Sequence, residues 1–362
     1  VYALGEWGSL KQGLIYYNTD KDEAAIVKLK KLVADFPNSP ESIEAVATAR
    51  SIYVSNGKVD EYAIWVKTLT FVNVSDAELD DDMYEAAEKK YVANNAKQAI
   101  AGFTSYLSQF PSGKHALKVH FYLAQLYFAD KLESNAIPHY EYVANQSRNV
   151  YTEQALVRLS EIYLKAKNTE AAILVLTNLE IQAEYPQNKT FAQANLMKCY
   201  YAKQDYVNSE IYADKVLKNP KTEDSIKSDA QIIIARSAIK TNNEAGAKEA
   251  YAKLQKIAKG ELAAEALYYE AYFKNKEAKY DASNKTIEKY ASLYSGYKYF
   301  AAKALLVMAK NYYALQDSFQ ATEILKSVID NYTEFQDVVT EAQTELDKIK
   351  EEEAKRNSSI TE

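Results

Sequence analysis

Residues 10–37 read LKQGLIYYNTDKDEAAIVKLKKLVADFP. Gly13 is followed by Tyr16, Ala25 comes nine residues after the tyrosine, and Phe36-Pro37 closes the run. Leu10, Leu29 and Leu32 supply apolar positions around these landmarks. The order predicts a first helix, a turn of three or four residues and a second helix. Small residues at Gly13 and Ala25 let the two axes approach; larger ones would hold them apart.

The arrangement recurs along the chain. Aromatic residues late in the first helix are Tyr16, Tyr53, Tyr91, Tyr127, Tyr163, Tyr200 and Tyr312. Nine residues beyond, small residues stand at Ala25, Ala136, Ala172, Ser209 and Ala321, and three before stand Gly13, Ala124, Ser160 and Ala309. Phe36-Pro37, Phe110-Pro111 and Tyr185-Pro186 place prolines 74 and 75 residues apart, twice a period near 37, with Asn219-Pro220 following. Such a period is the signature of a helical-hairpin solenoid. Nine hairpins are expected, over 1–38, 39–75, 76–113, 114–148, 149–187, 188–222, 223–259, 260–296 and 297–334. Turns are expected at Asn56-Gly57, Asn94-Asn95, Lys167-Asn168 and Asn242-Asn243, because Asn and Gly tolerate the left-handed conformation that ends a helix. Ser39-Pro40-Glu41-Ser42 and Thr152-Glu153 read as helix starts.

Several units depart from the pattern. The second and third carry Arg50 and Glu88 where a small residue is expected, and their alanines slip to Ala63 and Ala99. The sixth has Met197. The seventh has Ala238 in place of the aromatic, and the eighth offers Tyr272 or Phe273.

These residues resemble the tetratricopeptide repeat family, over essentially the whole chain to about residue 334. The resemblance implies an all-α fold, a right-handed α-solenoid of about nine helical hairpins over 1–334, with a C-terminal capping helix and polar tail over 335–362. Val338, Val339, Ala342, Leu346 and Ile349 give the cap an apolar face, as an open solenoid end requires. From Lys350 the chain turns polar and is expected to fray.

A narrower resemblance rests on Ala99-Ile100-Ala101-Gly102-Phe103, Tyr106 to Gly113, Ala116 and Tyr122-Leu123-Ala124. It is similar to the bacterial cell-envelope branch, which includes the lipoprotein of the outer-membrane barrel-assembly machine and the periplasmic Tol–Pal coordinator. The recurring phrase of that branch is an alanine-initiated helix ending in aromatic-Pro-x-Ser, and Phe36-Pro37-Asn38-Ser39-Pro40 repeats it. The implied location is the periplasm or the outer membrane, through a peripheral or lipoprotein link, and the high Tyr, Lys and Asn content suits a Bacteroidetes source. The single cysteine, Cys199, is compatible with that compartment and equally with the cytoplasm. The sequence starts at Val1 and is read as a fragment or processed form, with earlier repeats expected upstream.

The net charge of −6 and pI near 5.5 argue against a nucleic-acid partner. Lysines are dispersed among Glu and Asp as on solvated helix faces. No stretch approaches the roughly 20 apolar residues of a membrane span. His115 and His120 are five apart, unsuited to sharing one helical face as metal ligands. His139 follows Pro138 on another helix, and rim positions are expected for all three. Cys199 reads as a buried small hydrophobe. Asp80-Asp81-Asp82 reads as an acidic run just before a helix, complementing its dipole. No phosphate loop, nucleophile elbow or zinc-protease motif occurs. No catalytic residue, metal or cofactor is therefore expected, and the chain reads as a non-enzyme.

The expected functional surface is a groove. By the family resemblance, the first helices line the concave face and the residue after each aromatic points to its floor: Tyr17, Val54, Val92, Phe128, Leu164, Tyr201, Ile239 and Tyr313. Two residues before the aromatic stand Gln125, Glu161, Lys198, Arg236 and Lys310. An apolar floor with charged flanks suits an extended peptide or partner protein. The same floor residues could instead pack between hairpins. A glycan-binding outer-membrane lipoprotein is the alternative; it would need long insertions and exposed Trp, whereas Trp7 and Trp65 lie in expected helices and no loop is expected to exceed a few residues. A third reading puts a catalytic part outside this sequence.

Overall fold

The computed structural model describes residues 2–360. Within them the chain forms nineteen α-helices and no strand. Contacts divide the chain into two units, residues 1–166 and 167–362.

The first unit holds α1 (Tyr2–Asn18), α2 (Asp22–Asp35), α3 (Pro40–Ser55), α4 (Val59–Val66), α5 (Asp76–Val92), α6 (Ala96–Gln109), α7 (Ala116–Ala129), α8 (Glu133–Asn145) and α9 (Thr152–Lys165). The second holds α10 (Thr169–Gln182), α11 (Pro186–Ala202), α12 (Tyr206–Lys218), α13 (Asp224–Lys240), α14 (Glu244–Leu254), α15 (Gly260–Lys276), α16 (Tyr280–Tyr294), α17 (Lys298–Ala314), α18 (Ser318–Asn331) and α19 (Gln336–Ile360). Within each unit a helix packs mainly on its neighbours in sequence, and first helices of successive hairpins also touch, as α1 with α3 and α15 with α17. That is repeat packing: each hairpin buries its apolar face on the next.

The period is set at the hairpin turns. One residue per hairpin has positive φ: Asp20, Gly57, Asn94, Lys131, Lys167, Gln204, Asn242, Ala278 and Gln316. In eight of these turns the following N–H donates to a carbonyl five residues back, as Lys21 to Tyr16, Asn95 to Lys90, Asn243 to Ala238 and Lys279 to Lys274, at 2.8–2.9 Å. This satisfies orphan carbonyls at the helix end by a main-chain bond. The next helix then starts at once, often capped by a side chain: Asn95, Asn168, Asp205, Asn243 and Asp317 each accept the N–H three residues on.

This register corrects two units. In the third, the residue equivalent to Tyr16 is Lys90, so Tyr91 is one position late. Ala99 is then in register, and the small first-helix residue is Ala87, not Glu88. In the eighth the equivalent is Lys274, neither Tyr272 nor Phe273. Counting five residues past each turn residue gives Ala25, Ala99, Ala136, Ala172, Ser209, Ala247, Ser283 and Ala321, all fully buried. Only the second unit differs, with Tyr62 there at 1% exposure.

The prolines have two roles rather than one. Pro37, Pro111 and Pro220 follow helix ends, but Pro186 opens α11 at its first position. That site needs no N–H and welcomes the fixed φ. Ser39 caps α3 as expected, accepting from Ser42 N–H. At α9 the cap position is Tyr151, and the Thr152 hydroxyl accepts instead from Asn149 N–H.

Two further expectations change. α4 has only eight residues, and residues 67–75 follow without helix, so one loop is longer than expected. Leu69, Phe71, Val72 and Val74 pack its length on the first core cluster. At the other end α19 buries Val338, Ala342, Leu346 and Ile349 as a cap should, but the helix runs on through the polar segment to Ile360. Good helix formers fill it, and Glu352 and Glu353 bond Tyr313 and Ser318.

Candidate interaction face on the first helices

The residue after each turn-accepting position lies on the last turn of a first helix. With the register corrected, the row is Tyr17, Val54, Tyr91, Phe128 and Leu164 in the first unit, and Tyr201, Ile239, Asn275 and Tyr313 in the second. All nine are half-buried. Val92, expected in this row, is 72% exposed and lies one position beyond it. The slip has a local cause: Lys90, not Tyr91, supplies the carbonyl that closes the turn.

These side chains are partly committed to packing. Tyr91 stacks on Tyr122 at 4.3 Å, and its hydroxyl donates to Gln125 Oε1 at 3.1 Å. Phe128 meets Tyr140 edge-on, with the Arg158 guanidinium 4.9 Å from its ring centroid. Tyr201 packs on the core of Ala194, Met197, Ala213 and Val216 and meets Tyr206 edge-on at 5.7 Å. The Tyr313 hydroxyl donates to Glu352. Part of each side chain is thus taken up by packing and part stays exposed.

The charged flanks are spoken for. Lys198 pairs with Asp229 at 2.5 Å, Arg236 with Glu265, and Lys310 with Glu341 at 2.7 Å and Glu345 at 3.4 Å. Glu161 pairs with Arg158 on its own helix at 2.7 Å. Glu88, at the equivalent place in the third unit, accepts from Lys118 at 2.9 Å and from Tyr84. Hydrogen bonding to Tyr84 and Glu88 holds the Lys118 ammonium well above its ordinary range. Three of these pairs join the first helices of successive hairpins and the fourth, Lys310–Glu341, joins α17 to the cap α19, at sequence separations of 29 to 31. They are staples between repeats. Opposite charges recurring about 30 residues apart were the sequence signal that would have found them.

The other polar candidates also have local partners. Asp80-Asp81-Asp82 sits inside α5, whose start is Ser75 with a reciprocal Ser75–Glu78 capping box. Asp80 accepts from the Tyr106 hydroxyl at 2.5 Å and from Lys114 N–H at 2.8 Å; Asp81 meets Lys114 and His115; Asp82 takes the Arg50 guanidinium. The run is thus a set of tertiary contacts rather than a dipole cap. Arg50 occupies a position that most other hairpins give to a small residue, and that pairing explains it.

The histidines are not isolated rim residues. His115 stacks on Tyr84 at 4.0 Å. His120 and His139 face each other across the α7–α8 hairpin with Nδ1 atoms 2.8 Å apart, and His120 stacks on Tyr142 at 3.7 Å. Burial, then the neighbouring His139, pushes His120 down to about 4; burial also lowers His139. Cys199 is buried, and burial raises its thiol. Among the described residues no group of three or more His, Cys, Asp or Glu is placed to hold a metal, and no helix is long and apolar enough to cross a membrane.

Residues 9–39 and 303–334 match the family model described as tetratricopeptide repeat, which supports the repeat assignment at both ends of the chain. The first match contains the Leu10–Pro37 stretch. No curated protein matches. Among solved structures, a tetratricopeptide repeat protein from Parabacteroides merdae aligns at 14% identity over 73% of this chain and 98% of that one, with a TM-score of 0.35. Yeast Tom70 aligns at 12% identity over 99% of this chain and 98% of its own, with a TM-score of 0.39. The C-terminal part of a repeat-containing protein from Cytophaga hutchinsonii aligns at 14% identity over 92% of this chain and 98% of its own, with a TM-score of 0.33.

Proposed function

We propose that the chain is a non-catalytic scaffold that binds a peptide or partner protein on its first-helix face, in the bacterial cell envelope. A tetratricopeptide repeat fold suggests a protein-interaction role. The observation that carries the binding face is the recurrence of a half-buried, mostly apolar side chain at one repeat position: Tyr17, Val54, Tyr91, Phe128 and Leu164 in one unit, Tyr201, Ile239 and Tyr313 in the other. A surface that is only packing would be free to close over these residues, whereas each keeps an open edge. Aromatics with an exposed edge provide the apolar anchor that interfaces concentrate on.

The charged flanks take a different part in this reading. Lys198 and Arg236 tie successive first helices together through Asp229 and Glu265, and Lys310 ties α17 to α19. A partner then meets a pre-set row of anchors, which lowers the ordering cost of binding.

The test is affinity capture from an envelope extract with the immobilised protein and with Phe128→Ala and Tyr201→Ala variants, followed by mass spectrometry. A specific partner should be enriched and lost from at least one variant. The same partners on all three proteins would remove this face. A partner found only in cytoplasmic extract would remove the envelope.

A further inference from the structure

The first unit contains a cavity of about 390 Å³ where α4, α5 and α6 meet. That volume lies within the range of small-ligand clefts, roughly 300–1,000 Å³. Its lining comes from the α3–α4 turn and the first residues of α4, from the second half of α5, and from α6. On α6, small residues stand where neighbouring hairpins carry bulk. Eight residues beyond the turn residue, the second, fourth and sixth hairpins have Trp65, His139 and Tyr212, and the third has Gly102. A Cβ on Gly102 would come within 2.9 Å of the Ala87 Cβ, so glycine seats α6 tightly on α5 at that point. Three residues later Ser105 stands in the place of Tyr142.

The cavity has an apolar floor of Met83, Ala86 and Ala87. Two half-buried charges of opposite sign line it: Asp60 from α4 and Lys90 from α5. Other half-buried charges of this unit are paired, as Arg50 with Asp82 at 2.6 Å and Lys118 with Glu88 at 2.9 Å, though not all. Asp60 and Lys90 engage no other side chain among the described residues. Gln98 and Ser105 add neutral donors and acceptors to the lining.

A mixed cleft with an apolar floor, one carboxylate and one ammonium, neither bonded to another side chain, is complementary to a small zwitterion with an apolar side chain. We propose that this cavity binds a free α-amino acid with an aliphatic or aromatic side chain. Asp60 accepts from the α-ammonium, Lys90 donates to the α-carboxylate, and the side chain lies on Met83, Ala86 and Ala87. The site is on the second-helix side and does not depend on the partner-binding face proposed above.

The experiment is titration calorimetry with saturation-transfer NMR on the whole chain, using L-leucine and L-phenylalanine as probes, and the N-acetyl amides of both as uncharged controls. Free amino acids should bind, and the blocked forms should bind at least about tenfold more weakly, a difference of about 1.4 kcal/mol. Lys90→Met and Asp60→Asn should each weaken binding by a similar factor. Ala101→Trp, on an exposed position of α6 at the cavity, should abolish it while circular dichroism stays unchanged. Equal binding of free and blocked probes overturns the zwitterion, and no signal from either amino acid at about 10 mM overturns the site, since even millimolar affinity corresponds to about 4 kcal/mol and would be seen.

Discussion

Arg236 on α13 grips Glu265 on α15 with two hydrogen bonds, Nε to Oε1 at 3.0 Å and Nη2 to Oε2 at 2.5 Å, and the Tyr251 hydroxyl donates to the same carboxylate at 2.8 Å. The Glu265 side chain is 3% exposed, the Arg236 side chain 43%. The guanidinium is held above its ordinary range by the hydrogen bonds to Glu265, and burial raises Tyr251. Arg236→Ala strands a buried carboxylate. Breaking a fully buried pair costs about 3–5 kcal/mol, and with one partner half in water the expected loss is about 2 kcal/mol. Arg236→Met with Glu265→Gln should recover part of it. Urea midpoints of the three proteins check this; an Arg236→Ala midpoint equal to the parent's would show the pair to be dispensable.

His120 and His139 make stability depend on pH. Both are depressed below the ordinary histidine value of about 6.5, so their contribution is fully present above that pH. It is lost as pH falls toward the folded value of His120, about 4, because unfolding frees the rings to take protons. With the pair half-buried and partly screened, the loss is about 1–2 kcal/mol over that window. The parent should lose more stability than His120→Gln between pH 7 and pH 4.5. Parallel losses in the two proteins would contradict the pairing.

Ala278 holds φ at 57° in the turn between α15 and α16. A side chain in this region costs about 1–2 kcal/mol, while glycine costs about 0.5–1 kcal/mol more unfolded-state entropy. Ala278→Gly should therefore be neutral to stabilising by about 1 kcal/mol. The converse change at Gly57, with φ at 68°, should destabilise by a similar amount. Thermal melts of both variants decide the sign.

Gly102 should tolerate no side chain. Its Cβ would press on Ala87 Cβ at 2.9 Å and on Ala87 Cα at 3.3 Å. Backbone has little room to yield, so Gly102→Val is expected to cost about 1–3 kcal/mol by overpacking. A melting temperature within a degree of the parent would place α5 and α6 further apart than they stand.

Cys199 should react with a thiol reagent only on unfolding, because it is buried and its thiol is raised. Rapid labelling of the native chain would contradict that placement.

The hairpins were legible because the residues that fix them are local. Small residues such as Ala136 and Ser209 must be small whatever the rest of the chain does, and aromatics such as Tyr127 and Tyr200 mark the end of the same helix. The third and eighth units misled because Tyr91, Tyr272 and Phe273 imitate a marker whose position is set by a main-chain bond at Lys90 and Lys274. Charges read less well still. Lys198, Arg236 and Lys310 look like free heads in one dimension, and their partners lie about 30 residues away. The His120–His139 contact and the Asp60–Lys90 cavity join residues of different helices, so neither has a periodic signal to read.

The hairpin turns close through an N–H and a carbonyl that every one of these residues possesses. Asp20, Lys131, Gln204, Ala278 and Gln316 all serve in the same left-handed seat. What keeps the repeat in step is therefore carried by atoms that substitution leaves alone. Such an array can drift in sequence while its spacing stays constant, and resemblance to a consensus fades long before the architecture does. In this chain the consensus is recognised in residues 9–39 and 303–334, while the same turn recurs through the hairpins between them.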